Sequence, residues 1–144
     1  MKVVVDTNVW VGSLSKFSPY YGIIEAFYDE KFVVQISNEI LSEYAEKLFE
    51  KYSYDTTNAF LQAVLESENV EFIEPYFRWH LIEVDEDDNK FVDCAISGNA
   101  LFIVSNDSHF NILKSINFPK VTVIKVDDFM KMLGIEKKVK NDRI

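Results

Sequence analysis

The residues most able to do chemistry are carboxylates, and they fall at telling places. Asp6 ends the apolar run Val3-Val4-Val5 and is followed by Thr7 and Asn8. Asp107 stands three residues after the apolar run Leu101 to Val104, behind Ser105 and Asn106. An acidic run, Asp85-Glu86-Asp87-Asp88, precedes Phe91 and Val92, and Glu39, Glu43 and Glu46 recur along a segment with Ile40, Leu41, Tyr44 and Leu48. Carboxylates gathered within a few ångströms cannot all stay ionised unaided, because each raises its neighbours' pKa. A hard divalent ion such as Mg²⁺ or Mn²⁺ relieves that conflict and favours oxygen ligands. Such an ion can generate hydroxide near neutral pH and stabilise charge on a phosphodiester during in-line attack. His80, His109 and the lone Cys94 are scattered along the chain, which argues against a zinc centre.

The elements that must position these groups alternate between two periods. Lys2 to Val5 reads as a buried parallel strand, Phe32 to Ile36 as a second and Val70 to Ile73 as a third, ended by Pro75. Leu101 to Val104 and Val121 to Val126 supply two more strands, and a short one is expected at Leu81 to Val84. Between them lie helical patterns. Pro19 opens one through Ile23, Ile24, Phe27 and Tyr28, and Ser37 caps the next. Asp55 and Thr56 are expected to cap the helix carrying Phe60, Ala63 and Val64. A helix through Phe91, Val92, Ala95 and Ile96 ends at Gly98 or Asn99; a short one spans Phe110 to Leu113, and the last runs from Asp127 to Leu133. Strands alternating with helices predict a three-layer α/β/α sandwich over a mostly parallel sheet of four or five strands. In such sheets ligands bind beyond the carboxyl ends of the strands, where Asp6 and Asp107 fall. Asp88 starts a helix feeding the Leu101 strand, and Glu43 sits on the flank of its helix's apolar stripe. Four carboxylates from separate segments can therefore converge.

Length and composition narrow the classes. The 144 residues fit one domain, 1–135, followed by a mixed-charge tail, 136–144, and 48% apolar content excludes a disordered chain. No apolar run approaches the roughly 18 residues of a membrane span, and the three valines are too short for a secretory signal. A single cysteine excludes an internal disulfide, so a cytoplasmic protein is expected. The formal charge of −9 runs against a surface built to neutralise phosphates. RNA contacts, if made, must be local. Tyr20, Tyr21, Phe27, Tyr28 and the Phe72 to Trp79 stretch read as core or dimer interface. Lys137, Lys138, Lys140 and Arg143 make a modest basic tail.

The segments VVVDTNVWVGSL, SNEILSEYAEKL and DEDDNKFVDCAISGNALFIVSND together resemble the PIN domain, in a similarity running from Lys2 to about Met132. It is nearest to the branch of small prokaryotic PIN proteins that are toxin components of toxin–antitoxin pairs. The resemblance implies metal-dependent cleavage of single-stranded RNA. It selects Asp88 from the acidic run and Glu43 over Glu39 and Glu46, so that Asp6, Glu43, Asp88 and Asp107 become the catalytic and Mg²⁺- or Mn²⁺-holding set. Thr7 and Asn8 match the small polar residues after the first aspartate, and Ser105 the hydroxyl residue before the last. Asn8 and Ser105 would orient ligands or the scissile phosphate. Asp93, further along the Asp88 helix, is a candidate supporting carboxylate. The toxin branch also implies a homodimer and a small antitoxin partner.

Each acid has a plainer use. Asp6 and Asp107 can cap turns or helices, Glu43 can pair with Lys47 or Lys51, and most of an acidic run is ordinarily solvated. His109 can approach the site but has no motif of its own. A haloacid-dehalogenase-like phosphatase needs a second acid at position 8, which is Asn; a receiver domain needs an acidic pair after the first strand, which is absent. The remaining alternative is a catalytically silent RNA- or protein-binding module on the same fold.

Overall fold

The computed structural model describes residues 1–138 and contains a five-stranded, wholly parallel sheet between layers of helices. The expected three-layer α/β/α architecture is what forms, at the upper of the two expected strand counts. The strands are β1 (Lys2–Val5), β2 (Val33–Ile36), β3 (Val70–Phe72), β4 (Phe102–Val104) and β5 (Val123–Ile124). The helices are α1 (Thr7–Ser13), α2 (Tyr21–Tyr28), α3 (Asn38–Lys51), α4 (Tyr54–Glu66), α5 (Asn89–Ser97) and α6 (Val126–Leu133). Two 3₁₀ segments, Glu86–Asp88 and Ser108–Ser115, complete the regular structure of the described residues.

The strand order is β3-β2-β1-β4-β5, so β1 is central. Val3 pairs with Val34 of β2 on one side and with Phe102 of β4 on the other. Val3, Val4 and Val5 are completely buried, as a strand covered on both faces requires. The chain moves outward from β1 through β2 to β3, then returns to lay β4 and β5 on the opposite side. That reversal makes the gap between the tips of β1 and β4 the switch point, where an open α/β sheet has its ligand crevice. Trp10 of α1 anchors one helical layer, with ring centroids 5.6 Å from Phe27 and 5.2 Å from Phe60. Phe129 of α6 packs edge-on against Phe32 at 5.0 Å.

Local signals were followed in most places. Ser37 caps α3, its hydroxyl accepting from the Ile40 N–H at 3.3 Å, and Gly98 ends α5. The helix after Lys51 begins earlier than Asp55 or Thr56 would place it. Ser53 is the cap, accepting from the Thr56 N–H at 3.2 Å, and Asp55 lies in the first turn. Asp-Thr-Asn does not form a free turn; α1 starts directly behind Asp6. The strand at Leu81 to Val84 does not form. No strand neighbour is available there among the described residues, and the Asn89 side chain takes that place. Its amide accepts from the Ile82 N–H at 2.9 Å and donates to the Ile82 carbonyl at 2.8 Å. The last strand is also shorter than Val121 to Val126, and Val126 opens α6 instead of ending the strand. Within the expected tail, Lys137 pairs with Asp127 at 3.0 Å and Lys138 with Glu25 at 2.9 Å; Lys140, Arg143 and the rest of 139–144 lie outside the described residues. No helix among the described residues is long and apolar enough to cross a membrane.

Candidate acidic metal site

β1 and β4 remain hydrogen-bonded to their last residues, the Asp6 N–H donating to the Val104 carbonyl at 3.0 Å. This pairing carries Asp6 and Ser105 side by side into the crevice. Asp6 occupies the capping position of α1 but makes no side-chain cap hydrogen bond. Its carboxylate instead accepts from the Ser105 hydroxyl at 2.7 Å, and that same oxygen of Ser105 accepts from the Asp107 N–H at 3.0 Å. One serine thus fixes two aspartates. Asp107 also caps the following 3₁₀ segment, accepting from the His109 N–H at 2.9 Å. For Asp107 the plain use and the chemical one coexist.

Of the acidic run, Asp88 turns inward while Asp87 stays largely in solvent. The His109 ring lies against it, Nδ1 standing 3.0 Å from Asp88 Oδ2 and 3.6 Å from Asp107 Oδ1. A carboxylate only accepts, so Nδ1 carries the proton in this contact. Asp85, Asp88 and His109 each place one ligand atom within 4.8 Å of the others. Glu43 enters from α3, which the Tyr44 hydroxyl ties to β1 by donating to the Val5 carbonyl. One Glu43 oxygen accepts from the Thr7 hydroxyl, and the other meets Lys90 Nζ at 2.8 Å. The rivals go elsewhere: Glu39 pairs with Arg78, and Glu46 is exposed.

The electrostatics match this crowding. The Asp6 carboxyl is pushed up to about 6, first by burial and then by the charges of Asp88, Asp107 and Glu43, with the Ser105 hydrogen bond pulling the other way. Burial also raises Asp88, although its His109 contact opposes the rise. The Asp88 hydrogen bond raises His109. Burial pulls the Lys90 ammonium down, but Glu43 and Asp87 outweigh it and leave it above its ordinary value. Burial pushes the Cys94 thiol up to about 12, so it offers no thiolate. Hard oxygen donors around an excess of negative charge fit a divalent cation such as Mg²⁺ or Mn²⁺.

Asn8 is exposed and lines a cavity of about 280 Å³ with Asp6, Asn106 and Asp107. Asp93 is not part of this group. It accepts from the Trp79 N–H at 3.1 Å and faces a different cavity. Sequence reasoning had no signal that singled out Lys90. For His109 the signal was its place two residues behind Asp107, and the cap of the 3₁₀ segment is what swings the ring back onto Asp88.

A PIN domain family model matches residues 2–109, three quarters of the chain. This chain belongs to the PIN domain family, and that membership supports a nuclease. It is 28% identical over 130 residues to an uncharacterized protein of Methanocaldococcus jannaschii, covering 86% of this chain and 83% of that one. The fold is similar to that of VapBC2 from Rickettsia felis, solved bound to a DNA fragment from their promoter, at 18% identity and a TM-score of 0.59, over 87% of this chain and 98% of that one. It is also similar to FitAcB from Neisseria gonorrhoeae, at 15% identity and 0.53, over 86% and 97%.

Proposed function

We propose that this protein is a metal-dependent endoribonuclease that cleaves single-stranded RNA, acting as the toxin component of a toxin–antitoxin pair. The observation that carries the reading is the nearness of Glu43, Asp88 and Asp107 to the buried Asp6, whose carboxyl is raised to about 6 by burial first and by their charges in addition. Asp6, Glu43, Asp88 and Asp107 are the residues that would hold Mg²⁺ or Mn²⁺. The bound ion would supply the positive charge that lets these carboxylates coexist, and would activate water and offset charge on the phosphodiester. The chain's own groups fix the geometry in advance. Ser105 holds Asp6 and the Asp107 backbone, His109 holds Asp88, and Thr7 with Lys90 holds Glu43. Asn8, at the rim, is placed to meet RNA rather than to support another side chain.

The similarity to VapBC2 and FitAcB supports an antitoxin partner, and the sequence resemblance to the toxin branch supports a homodimer. Cytoplasmic location and a 1–135 catalytic domain belong to the same reading. The test is cleavage of a labelled single-stranded RNA with Mn²⁺ by the wild type and by Asp6→Asn. Cleavage is expected from the first alone. Full ribonuclease activity in the variant would sink the site. The Lys90–Glu43 pair, which already neutralises one carboxylate, is what favours the silent-module alternative. On that alternative neither protein cleaves, and Mn²⁺ leaves the melting temperature unchanged.

A further inference from the structure

Beside the acidic site, the tips of β2 and β3 open onto a separate cavity of about 470 Å³, with Ser37, Phe72, Pro75, Arg78, Lys90 and Asp93 in its walls. Lys90 is common to both places, since its Nζ holds Glu43. Asp93 is the unusual wall residue. It is only 5% exposed, its Oδ1 accepts from the Trp79 N–H, and Oδ2 has no hydrogen-bond partner among the described residues. A carboxylate in the wall of a cavity with one oxygen free of donors from the chain is complementary to N–H groups.

The other walls restrict the ligand further. Arg78 pairs with Glu39 at 3.0 Å and Lys90 with Glu43 at 2.8 Å, so both cations are already balanced and Asp93 adds negative charge. An anion such as a phosphate gains little there. Both cations still have N–H groups to spare. Phe72 is 50% exposed and Pro75 lies beside it, offering apolar surface to a flat ring. Tyr76, 94% exposed, and Phe77 continue this aromatic edge into solvent. The complementary ligand is uncharged and planar, with adjacent donors on one edge and acceptors on another.

Guanine has that pattern: N1–H and N2–H₂ donate together, while O6 and N7 accept from Arg or Lys. Adenine and cytosine would turn a ring acceptor toward the carboxylate, and uracil flanks its single N–H with two carbonyls. Unstacked bases of single-stranded RNA are read in this way on their Watson–Crick edges, with aromatic side chains stacking on them. We propose that this cavity is a base-recognition subsite that takes a guanine of single-stranded RNA, with Asp93 accepting from its Watson–Crick edge. The inference rests on the reading that the protein's substrate is RNA.

The test measures binding of labelled pentauridylate, and of its three variants with a central guanine, adenine or cytosine, by anisotropy in EDTA. The guanine pentamer should bind about tenfold tighter than the other three. Asp93→Asn keeps an oxygen for the Trp79 N–H but turns a donor toward the base, and should bring the guanine pentamer to the level of pentauridylate. Phe72→Ala alters a half-exposed side chain and should weaken all four pentamers without lowering the melting temperature. Equal binding of the four pentamers, a guanine preference that survives Asp93→Asn, or indifference to Phe72→Ala would each overturn the subsite. Adding Mn²⁺ to the same pentamers separates the two readings. Cleavage without base preference removes the subsite and keeps the nuclease, whereas guanine-selective binding without cleavage does the reverse.

Discussion

The tips of β1 and β4 and the tips of β2 and β3 are neighbours on one sheet, and each buries an aspartate to the same 5% exposure. Their electrical settings are opposite. Asp6 faces three further carboxylates, which add to the effect of burial and take it to about 6. Asp93 is raised by burial too, but the Trp79 N–H and the charges of His80 and Arg78 oppose the rise. Depth alone therefore says little about what a buried acid does. Four crowded carboxylates mark the first tip as a place for a cation, while a single acid with one open acceptor, beside cations already paired, marks the second as a place for N–H donors.

The comparison can be broken most forcefully at Asp6. Asp6→Asn should lower Mn²⁺-dependent RNA cleavage by about a hundredfold or more, since even residues that only support metal ligands cost 10- to 100-fold. Initial rates on labelled RNA measure it. The same substitution should have a contrary effect on the metal-free fold. A carboxyl raised from 3.8 to about 6 binds its proton more tightly folded than unfolded, so stability is highest below pH 4 and is lost as pH rises to about 6. Above that range the loss is about 3 kcal/mol. Urea melts in EDTA should find Asp6→Asn the more stable protein at pH 7 and indistinguishable from wild type near pH 4.

A smaller effect is expected where the two tips meet. The Lys90 side chain is 10% exposed, and Lys90→Met leaves Glu43 with only Thr7 as partner. It should cost about 2 kcal/mol in a metal-free melt, the scale of a lost hydrogen bond to a charged group. Mn²⁺ should restore part of that loss. Ser105→Ala removes a neutral donor and should cost about 1 kcal/mol, with a further rise of the Asp6 carboxyl visible by NMR titration. Arg78→Ala breaks a pair exposed on both sides and should change stability by under about 0.5 kcal/mol. A large loss there would mean that the second tip is a structural clasp.

Much of this was legible in the chain, and the exceptions have physical causes. Continuous apolar runs such as Val3 to Val5 define parallel strands because both faces are covered, and they place Asp6 and Asp107 at strand ends without further help. Neither Asp88 nor Glu43 can be separated from its acidic neighbours by period alone. Asp88 is turned inward by the 3₁₀ segment and His109, and Glu43 is selected by Thr7 and Lys90, contacts 36 and 47 residues distant in sequence. The expected strand at Leu81 to Val84 failed for a related reason. Its residues are mostly apolar, but a strand needs a partner, and only a tertiary arrangement reveals that none is in reach among the described residues. Asp93, a candidate supporting carboxylate from its place on the Asp88 helix, lines the neighbouring cavity, because helical spacing specifies a face and not what that face meets.

The Asn89 amide that stands in for a missing strand has a kinetic consequence. From Glu74 to Val84 the chain has no ladder, and amides in such a stretch exchange with solvent readily. Two are tied to side chains of α5: Ile82 N–H to Asn89 and Trp79 N–H to Asp93. Both ties are made to one helix, so the segment is pinned at two points, Trp79 and Ile82, shortly before the inward-turned Asp88. Deuterium uptake should therefore leave two slow amides in a fast background, and whatever loosens α5 should release them together.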